Sequence, residues 1–269
     1  MNILITGTAS GIGQATADLF LRQGHMIFGI DIVPCAEREN FYGFIADITN
    51  EASLLGVKEY LRNNNIKLDA ILNIAGVHTM VSLVESDYTE MKRVVNINLS
   101  GTILVNRLFH DCLAPKGRIV IVTSEVAAFD PMPFNGLYNV TKSALDTYAQ
   151  ALRQELNLIG QKVVTVRPGA VATPLSCRSI EATQELADTT VLYQKQAKNF
   201  AGLASRFMGA PIEPDILATL IYKAAITKHP KLIYQKHRNI GLVLLNILPK
   251  RLQCFLIRFL LNHLSFKNG

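Results

Sequence analysis

The 269-residue chain has only four cysteines, Cys35, Cys112, Cys177 and Cys254, spread far apart with no CxxC pair and no neighbouring His cluster. That spacing excludes a disulfide-stapled scaffold and a zinc-type metal site, and reads as reduced thiols in a cytoplasmic setting. Long apolar runs are also missing. Residues 240–248 form a run of nine ended by Pro249, and residues 251–264 read as a helix apolar almost all round. Both fall short of the ~18–20 residues needed to cross a bilayer. No secretory leader fits, because the polar, glycine-rich Thr6-Gly7-Thr8-Ala9-Ser10-Gly11 interrupts the apolar start. Acidic residues stop at Asp215: residues 216–269 carry nine Lys or Arg and no Asp or Glu, while residues 1–215 are slightly acidic on balance. The net charge of +6 therefore belongs to the tail. Nucleic-acid binding is disfavoured, since these basic residues lie in an apolar segment without interleaved stacking aromatics.

What is present is a large core: 49% hydrophobic against 18% charged residues, the balance of a globular chain. Short apolar runs alternate with longer amphipathic ones. Strands are expected at 2–6, 25–30, 42–46, 68–73, 118–123, 162–167 and 232–234. Helices are expected at 12–23, 51–62, within 87–113, and at 136–159, with Gly24 and Gly160 as residues just past helix ends. Strands apolar on both faces, alternating with helices, predict an α/β fold with a Rossmann-type, doubly wound parallel sheet. Ligands of such a sheet bind at the carboxyl ends of its strands. With no repeat or linker, one domain over residues 1–235 suffices, followed by a helical, apolar and basic C-terminal extension over 236–269.

The stretch from Thr6 to Gly13 lies between the first strand and the first helix, with glycines spaced GxxxGxG. Gly7 and Gly11 allow a sharp turn and close backbone approach to a pyrophosphate at the helix N-terminus, and Gly13 lets the helix lie close to the sheet. Ser10 and Ile12 belong to the same cofactor-binding turn. Asp31 closes the second strand, where a carboxylate accepts hydrogen bonds from an adenosine ribose and repels a 2′-phosphate. No Lys or Arg occupies residues 8–10, so NAD is expected in preference to NADP.

Tyr138 and Lys142 stand four residues apart, one turn apart on a single helix face. An ordinary phenol titrates near 10 and is a poor base at neutral pH. A neighbouring ammonium favours the phenolate and so tunes the pair for acid/base work. Ser124 ends the fifth strand, at the same sheet edge. YxxxK alone is a weak signal that an ordinary amphipathic helix also produces.

Taken together in order, these motifs make the chain resemble the short-chain dehydrogenase/reductase family, over residues 2 to about 175. The resemblance implies that Asp47 and Ile48 contact the adenine, that Asn73, Ala75 and Gly76 line the cofactor, and that Pro168, Gly169, Val171 and Thr173 bind its nicotinamide end. It further implies that Asn98, Ser124, Tyr138 and Lys142 are the catalytic residues. Tyr138 exchanges the proton with the substrate oxygen, Lys142 lowers the tyrosine pKa and holds the nicotinamide ribose, Ser124 polarises the carbonyl, and Asn98 holds a relay water. Two departures stand out. The second Asn of the family's NNAG motif is Ile74, which lacks the side chain that braces the sheet, and the usual Ser-to-Tyr spacing falls on Glu125. The pair Ser124-Glu125 with Pro133-Phe134 is similar to one group of family members, which assigns Ser124 and leaves Glu125 as a candidate substrate-end carboxylate.

The implied activity is hydride transfer between a nicotinamide and a hydrophobic alcohol or ketone of steroid, retinoid or fatty type. The alternative is a catalytically silent nucleotide-sensing or scaffolding protein on the same fold. Residues 174–210, rich in Leu175, Ile180, Leu186, Leu192, Tyr193, Phe200, Leu203, Phe207 and Met208, are expected to form a substrate lid. The resemblance implies a homodimer or homotetramer through the long helices. For the tail two readings stay open: burial in a subunit interface, or peripheral attachment of residues 236–266 to an anionic membrane surface.

Overall fold

The computed structural model describes residues 1–207, 210–236 and 239–263, without the side chains of 205–207. The Phe207 side chain, Met208 and the tail beyond residue 263 thus lie outside the described residues. In chain order the elements are β1 (Asn2–Thr6), α1 (Gly11–Arg22), β2 (Met26–Asp31), β3 (Phe41–Ile45), α2 (Glu51–Asn63), β4 (Leu68–Asn73), α3 (Tyr88–Val95), α4 (Thr102–Phe109), β5 (Leu113–Val122), α5 (Gly136–Asn157), β6 (Lys162–Pro168), α6 (Pro174–Thr189), α7 (Gln194–Phe207), α8 (Pro214–Ile226), β7 (Ile233–Lys236), α9 (Ile240–Ile247) and α10 (Lys250–His263).

All seven strands pair in parallel, in the order β3-β2-β1-β4-β5-β6-β7. The period-2 alternation of side chains explains why the strands read as continuous apolar runs. Ile3 and Ile5 of β1 and Val120 and Val122 of β5 face one core with Ala17 and Phe20 of α1 and Leu217 and Ile221 of α8. Leu4, Ile119 and Ile121 face the other, with Leu54 and Leu61 of α2, Val105 of α4 and Leu145 of α5. Both faces are therefore covered, as the expected doubly wound sheet requires. Arg118 joins layers: its guanidinium donates to the Ala224, Ala225 and Thr227 carbonyls at 2.6, 2.6 and 2.7 Å, satisfying the C-terminal end of α8.

Gly24 and Gly160 take φ of +75° and +78°, the left-handed geometry expected just past helices α1 and α5. Three local features differ from expectation. β5 begins at Leu113, not 118, because a register shift opposite Leu68 and Ala70 carries the strand past the polar Pro115–Gly117 stretch. The helical region after residue 87 contains a π-helical segment, Asn96–Gly101, between α3 and α4. The lid region holds two helices, α6 and α7, whose apolar faces form a third core of Met80, Phe134, Leu186, Phe200 and Leu203.

The tail docks on this third core. Leu261 of α10 is buried within it, and the Asn199 side chain donates to the Leu261 carbonyl at 2.9 Å. The loop before α5 holds the other end: Asp130 accepts from Lys250 and Gln253 at 3.0 and 3.2 Å, and its N–H donates to Asn246 at 2.7 Å.

Candidate active site

The order of the strands reverses between β1 and β4, and the glycine turn sits at that switch point. Gly7 has φ of +80°, and a Cβ there would stand 2.9 Å from the Ala75 Cα. A Cβ on Gly13 would stand 1.8 Å from the Gly7 carbonyl oxygen, so only glycine lets α1 start this close to β1. Thr6 fixes the facing loop: its hydroxyl accepts from the Ile74 and Ala75 N–H groups at 3.1 and 3.2 Å. The missing asparagine at Ile74 is thus bypassed through backbone groups, while Asn73 donates to Asn106 at 2.8 Å. Ser10 precedes α1 without capping it through its side chain, and no acidic residue stands in the first turn. The N–H groups there are aimed outward, at a cradle suited to a pyrophosphate. Asp31 Oδ2 accepts from Ala9 N–H at 2.9 Å, which places its carboxylate at the rim of that cradle. Asp47 turns back on Thr49, accepting from its N–H and hydroxyl at 2.8 Å. Ile48 is buried against the place where a Gly101 side chain would be. Thr173 caps α6 and packs beside Gly11.

A cavity of about 380 Å³, which Ile12 of the glycine turn reaches, lies across the carboxyl ends of β4, β5 and β6. Ile12, Gly76, Pro168, Gly169, Val171 and Thr173 line one end, and Ser124, Tyr138 and Lys142 line its floor. These residues fit a dinucleotide, and those lining this end of the cavity would hold its nicotinamide half on the side of Tyr138. α5 carries Tyr138 and Lys142 in its first two turns, both buried. Ser124 stands two residues past the end of β5, and its hydroxyl is close enough to the Tyr138 phenol to favour the phenolate.

Burial dominates the electrostatics. It pushes the Tyr138 phenol up to about 12, with the Ser124 hydroxyl opposing. It also pushes the Lys142 ammonium down to about 8. Burial thus acts on the phenol in the direction opposite to the lowering expected from Lys142. The Lys142 Nζ lies 5.7 Å from the Tyr138 ring centroid and donates to the Val122 carbonyl at 3.3 Å. A phenol in this state is a proton donor at neutral pH.

Asn98 lies in the π-helical segment, fully buried. Its Oδ1 accepts from Val77 N–H at 2.8 Å, and its Nδ2 donates to the Val77 carbonyl and Thr141 hydroxyl at 2.9 and 3.1 Å. In this arrangement it pins the loop after Gly76 beside Lys142. Glu125 is buried at the cavity edge, and its Oε2 accepts from Asn239 N–H at 2.6 Å, so it braces the entry to α9. Several lining residues carry no sequence signal: His78 and Asn135 beside Tyr138, and Leu242, Leu245 and Leu260 from the tail helices. A helix 100 residues from the catalytic motif reveals nothing in sequence about which pocket it roofs.

Residues 1–184 match the family model described as short chain dehydrogenase. The chain belongs to the short-chain dehydrogenase/reductase family. Among relatives of this family, the NADPH-dependent 1-acyldihydroxyacetone phosphate reductase of Schizosaccharomyces pombe is 30% identical over 192 residues, 69% of this chain and 64% of its own length. The 3-ketodihydrosphingosine reductase of Bacteroides thetaiotaomicron is 28% identical, over 62% of each chain. The matches thus span less than two thirds of those relatives. A solved short chain dehydrogenase family protein from Francisella tularensis superposes with a TM-score of 0.73 at 24% identity, covering 87% of this chain and 96% of its own. A 3-ketoacyl-(acyl-carrier-protein) reductase from Brucella melitensis, complexed with NADH, superposes at 0.71 with 23% identity, covering 87% and 95%. At that identity the likeness concerns the fold.

The depressed lysine pKa makes a stability prediction. Moving from 10.5 to about 8 on folding costs on the order of 3 kcal/mol. That cost is fully present below pH 8 and is relieved as pH rises toward 10.5. Lys142→Met should therefore raise the melting temperature at pH 7, with the gain shrinking at alkaline pH, as read by thermal denaturation across pH. An unchanged or lowered melting temperature at pH 7 contradicts the burial argument.

Proposed function

We propose that the protein is a nicotinamide-dependent oxidoreductase that reduces an apolar ketone, or oxidises the matching alcohol, with Tyr138 as the acid/base. The observation that carries this is the convergence of Ser124, Tyr138 and Lys142 on the floor of a mostly apolar cavity that Ile12 of the glycine turn also lines. The bound cofactor supplies or accepts the hydride. Ser124 donates to the substrate carbonyl, and Tyr138 transfers its proton to that oxygen. Lys142 stabilises the phenolate left behind, and Asn98 keeps the Val77 loop and the lysine in register. Met80, Val126, Phe200, Leu203, Leu242 and Leu245 enclose the rest of the substrate and exclude water. The apolar lining and relatives named for acyl and ketosphingosine substrates support a fatty type. A protonated phenol and a complete catalytic set favour turnover over the silent, nucleotide-sensing reading.

NAD is the proposed cofactor, on the strength of the Asp31 carboxylate at the cradle rim. The proposed homodimer or homotetramer has a candidate face where Ile103 of α4 and Val140 of α5 are exposed.

Among the described residues no helix is long and apolar enough to cross a membrane. Surface attachment is a separate matter. Ile240, Leu244 and Ile247 follow one face of α9, and Leu252, Phe255 and Phe259 one face of α10, all exposed. Their neighbours Lys250, Arg251 and Arg258 are exposed too, and no acidic residue follows Asp215. Each such cation gains about 1 kcal/mol near an anionic leaflet. The inner faces of the same helices supply Leu242, Leu245 and Leu260 to the cavity. We therefore propose a peripheral attachment through α9 and α10, with the substrate drawn from lipid.

Three tests follow from this reading. With a panel of medium-chain ketones and NADH, Tyr138→Phe should lose at least about a hundredfold in kcat, and the wild-type reduction rate should fall as pH rises through about 8, where Lys142 loses its charge. Tyr138→Phe retaining most of the turnover would sink the mechanism. Fluorescence titration should find NAD(H) bound more tightly than NADP(H), with Asp31→Ala narrowing the gap, and equal or tighter NADP(H) binding rejects the assignment. In co-sedimentation, the full chain should pellet with phosphatidylserine vesicles at low salt and be released by high salt or by the double change Phe255→Asp, Phe259→Asp. If the wild type stays in the supernatant throughout, the tail is a packing or subunit element.

A further inference from the structure

Two side chains at the floor of the cavity are unused by the chemistry above. His78 follows the loop that Asn98 pins, and its ring packs on the Tyr138 ring with centroids 4.3 Å apart at 52°. Asn135 occupies the position just before α5, where an asparagine ordinarily accepts from the helix N–H groups, yet its side chain makes no such cap. Both residues line the cavity. Among the described residues, the buried His78 Nδ1 and Asn135 Oδ1 each find no hydrogen-bond partner. The Asn135 carboxamide lies close enough to the ring to favour its charged form. Native proteins rarely leave buried polar atoms unpaired, so an adjacent pair of them beside a reacting group points to a polar partner that both would share.

The backbone holds this pair in place at a cost. Phe134, immediately before Asn135, has φ of +65°, a left-handed conformation strained for a bulky residue. Its ring is locked edge-on against Tyr193 and Phe200 of the lid, with centroids at 5.6 and 5.4 Å. Its carbonyl accepts from Val81 N–H at 2.8 Å, tying the His78 loop to the Asn135 loop. The two orphan atoms therefore sit on loops clamped to each other. Burial holds the imidazole down at about 4, so the ring is neutral at physiological pH. A neutral ring protonated on Nδ1 donates one hydrogen bond, and Asn135 Oδ1 accepts one. The smallest group that accepts the first and donates the second is a hydroxyl.

We propose that His78 and Asn135 form a polar subsite that binds a hydroxyl on a substrate carbon next to, or close to, the reacting carbonyl. The substrate is then an apolar hydroxyketone or the corresponding diol, with its chain along Phe200, Leu203, Leu242 and Leu245. This deepens the oxidoreductase reading and rests on it for the position of the carbonyl. A plain ketone leaves both buried atoms unpaired, and sites built to hydrogen-bond a substrate hydroxyl discriminate strongly against analogues that lack it.

The test compares a medium-chain ketone with the same ketone bearing a hydroxyl on the adjacent carbon, using the full-length protein loaded with nicotinamide cofactor. Calorimetry should find the hydroxyketone bound about tenfold more tightly or better. His78→Phe and Asn135→Ala should each bring the ratio of the two affinities to near one, and the double variant should lose no more than either single one, because the two atoms act on one hydroxyl. His78→Leu serves if the phenylalanine variant does not fold. In the wild type, the ¹⁵N resonances of the His78 ring should move with the hydroxyketone and not with the plain ketone. Equal affinities, or a preference that survives in both single variants, overturn the subsite and leave a trapped water as its occupant. Turnover of the ketones without a hydroxyl preference rejects the subsite alone. A hydroxyl preference in binding without Tyr138-dependent turnover rejects the oxidoreductase reading and leaves the subsite standing.

Discussion

The Lys142 ammonium lies inside the protein, with the Val122 carbonyl at 3.3 Å as a hydrogen-bond acceptor and the Tyr138 ring beneath it. Burying a cation this way is unfavourable, and the surrounding structure is arranged to hold it. α5 crosses the end of β5, so the lysine reaches the last carbonyl of that strand. Gly76 stands where a side chain would press on both Lys142 Nζ and Asn98 Oδ1, at 3.4 and 3.1 Å. Asn98 occupies a π-helical segment, a distortion of the kind that collects at functional sites. It spends its carboxamide on Val77 and Thr141, which keeps the loop after β4 closed over the cation. The same desolvation raises the phenol of Tyr138. One physical cause therefore makes the tyrosine a proton donor and leaves the lysine close to its titration point at neutral pH.

Around this centre the enclosure comes from elements distant in sequence. The lid helices α6 and α7 contribute Leu175, Phe200 and Leu203, and α9 and α10 contribute Leu242, Leu245 and Leu260. Polar tethers hold these walls. Asp130 gathers Lys250, Gln253 and Asn246, and Glu125 accepts from Asn239. On the lid side, Glu85 accepts from Thr190, Val191 and Leu192 past the end of α6. The tail helices have two faces with different surroundings. The inward one is a wall of the cavity, and the outward one is an apolar surface bordered by cations. That pairing links the substrate's polarity to where the protein meets it.

Strand and helix positions were legible because the physics behind them is local. A strand buried on both faces must be apolar throughout, as in β1 and β4. A helix end needs a left-handed residue, as at Gly24 and Gly160. The glycine turn was legible for a similar reason: at Gly13, with the Gly7 carbonyl 1.8 Å from where a Cβ would sit, no other residue fits. Tyr138 and Lys142 share a helix face by their spacing alone. The start of β5 was hidden because Pro115 and Gly117 mask a strand whose pairing depends on β4. The π-helical segment around Asn98 was hidden because its periodicity is that of an ordinary helix.

The sequence by itself determined the sheet, the glycine turn and the residues brought to its carboxyl edge, since each rests on spacing, backbone freedom or side-chain period within a short stretch. Only the tertiary structure decided the rest. The direction of the Tyr138 and Lys142 pKa shifts depends on how completely distant segments remove water from them. Glu125 became a brace for Asn239 because the tail returns to the sheet edge. The unpaired His78 and Asn135 atoms came together because Val81 and Phe134, 53 residues apart in the chain, are joined by a hydrogen bond. Desolvation and long-range packing are properties of the enclosed volume, and no local pattern in the chain encodes them.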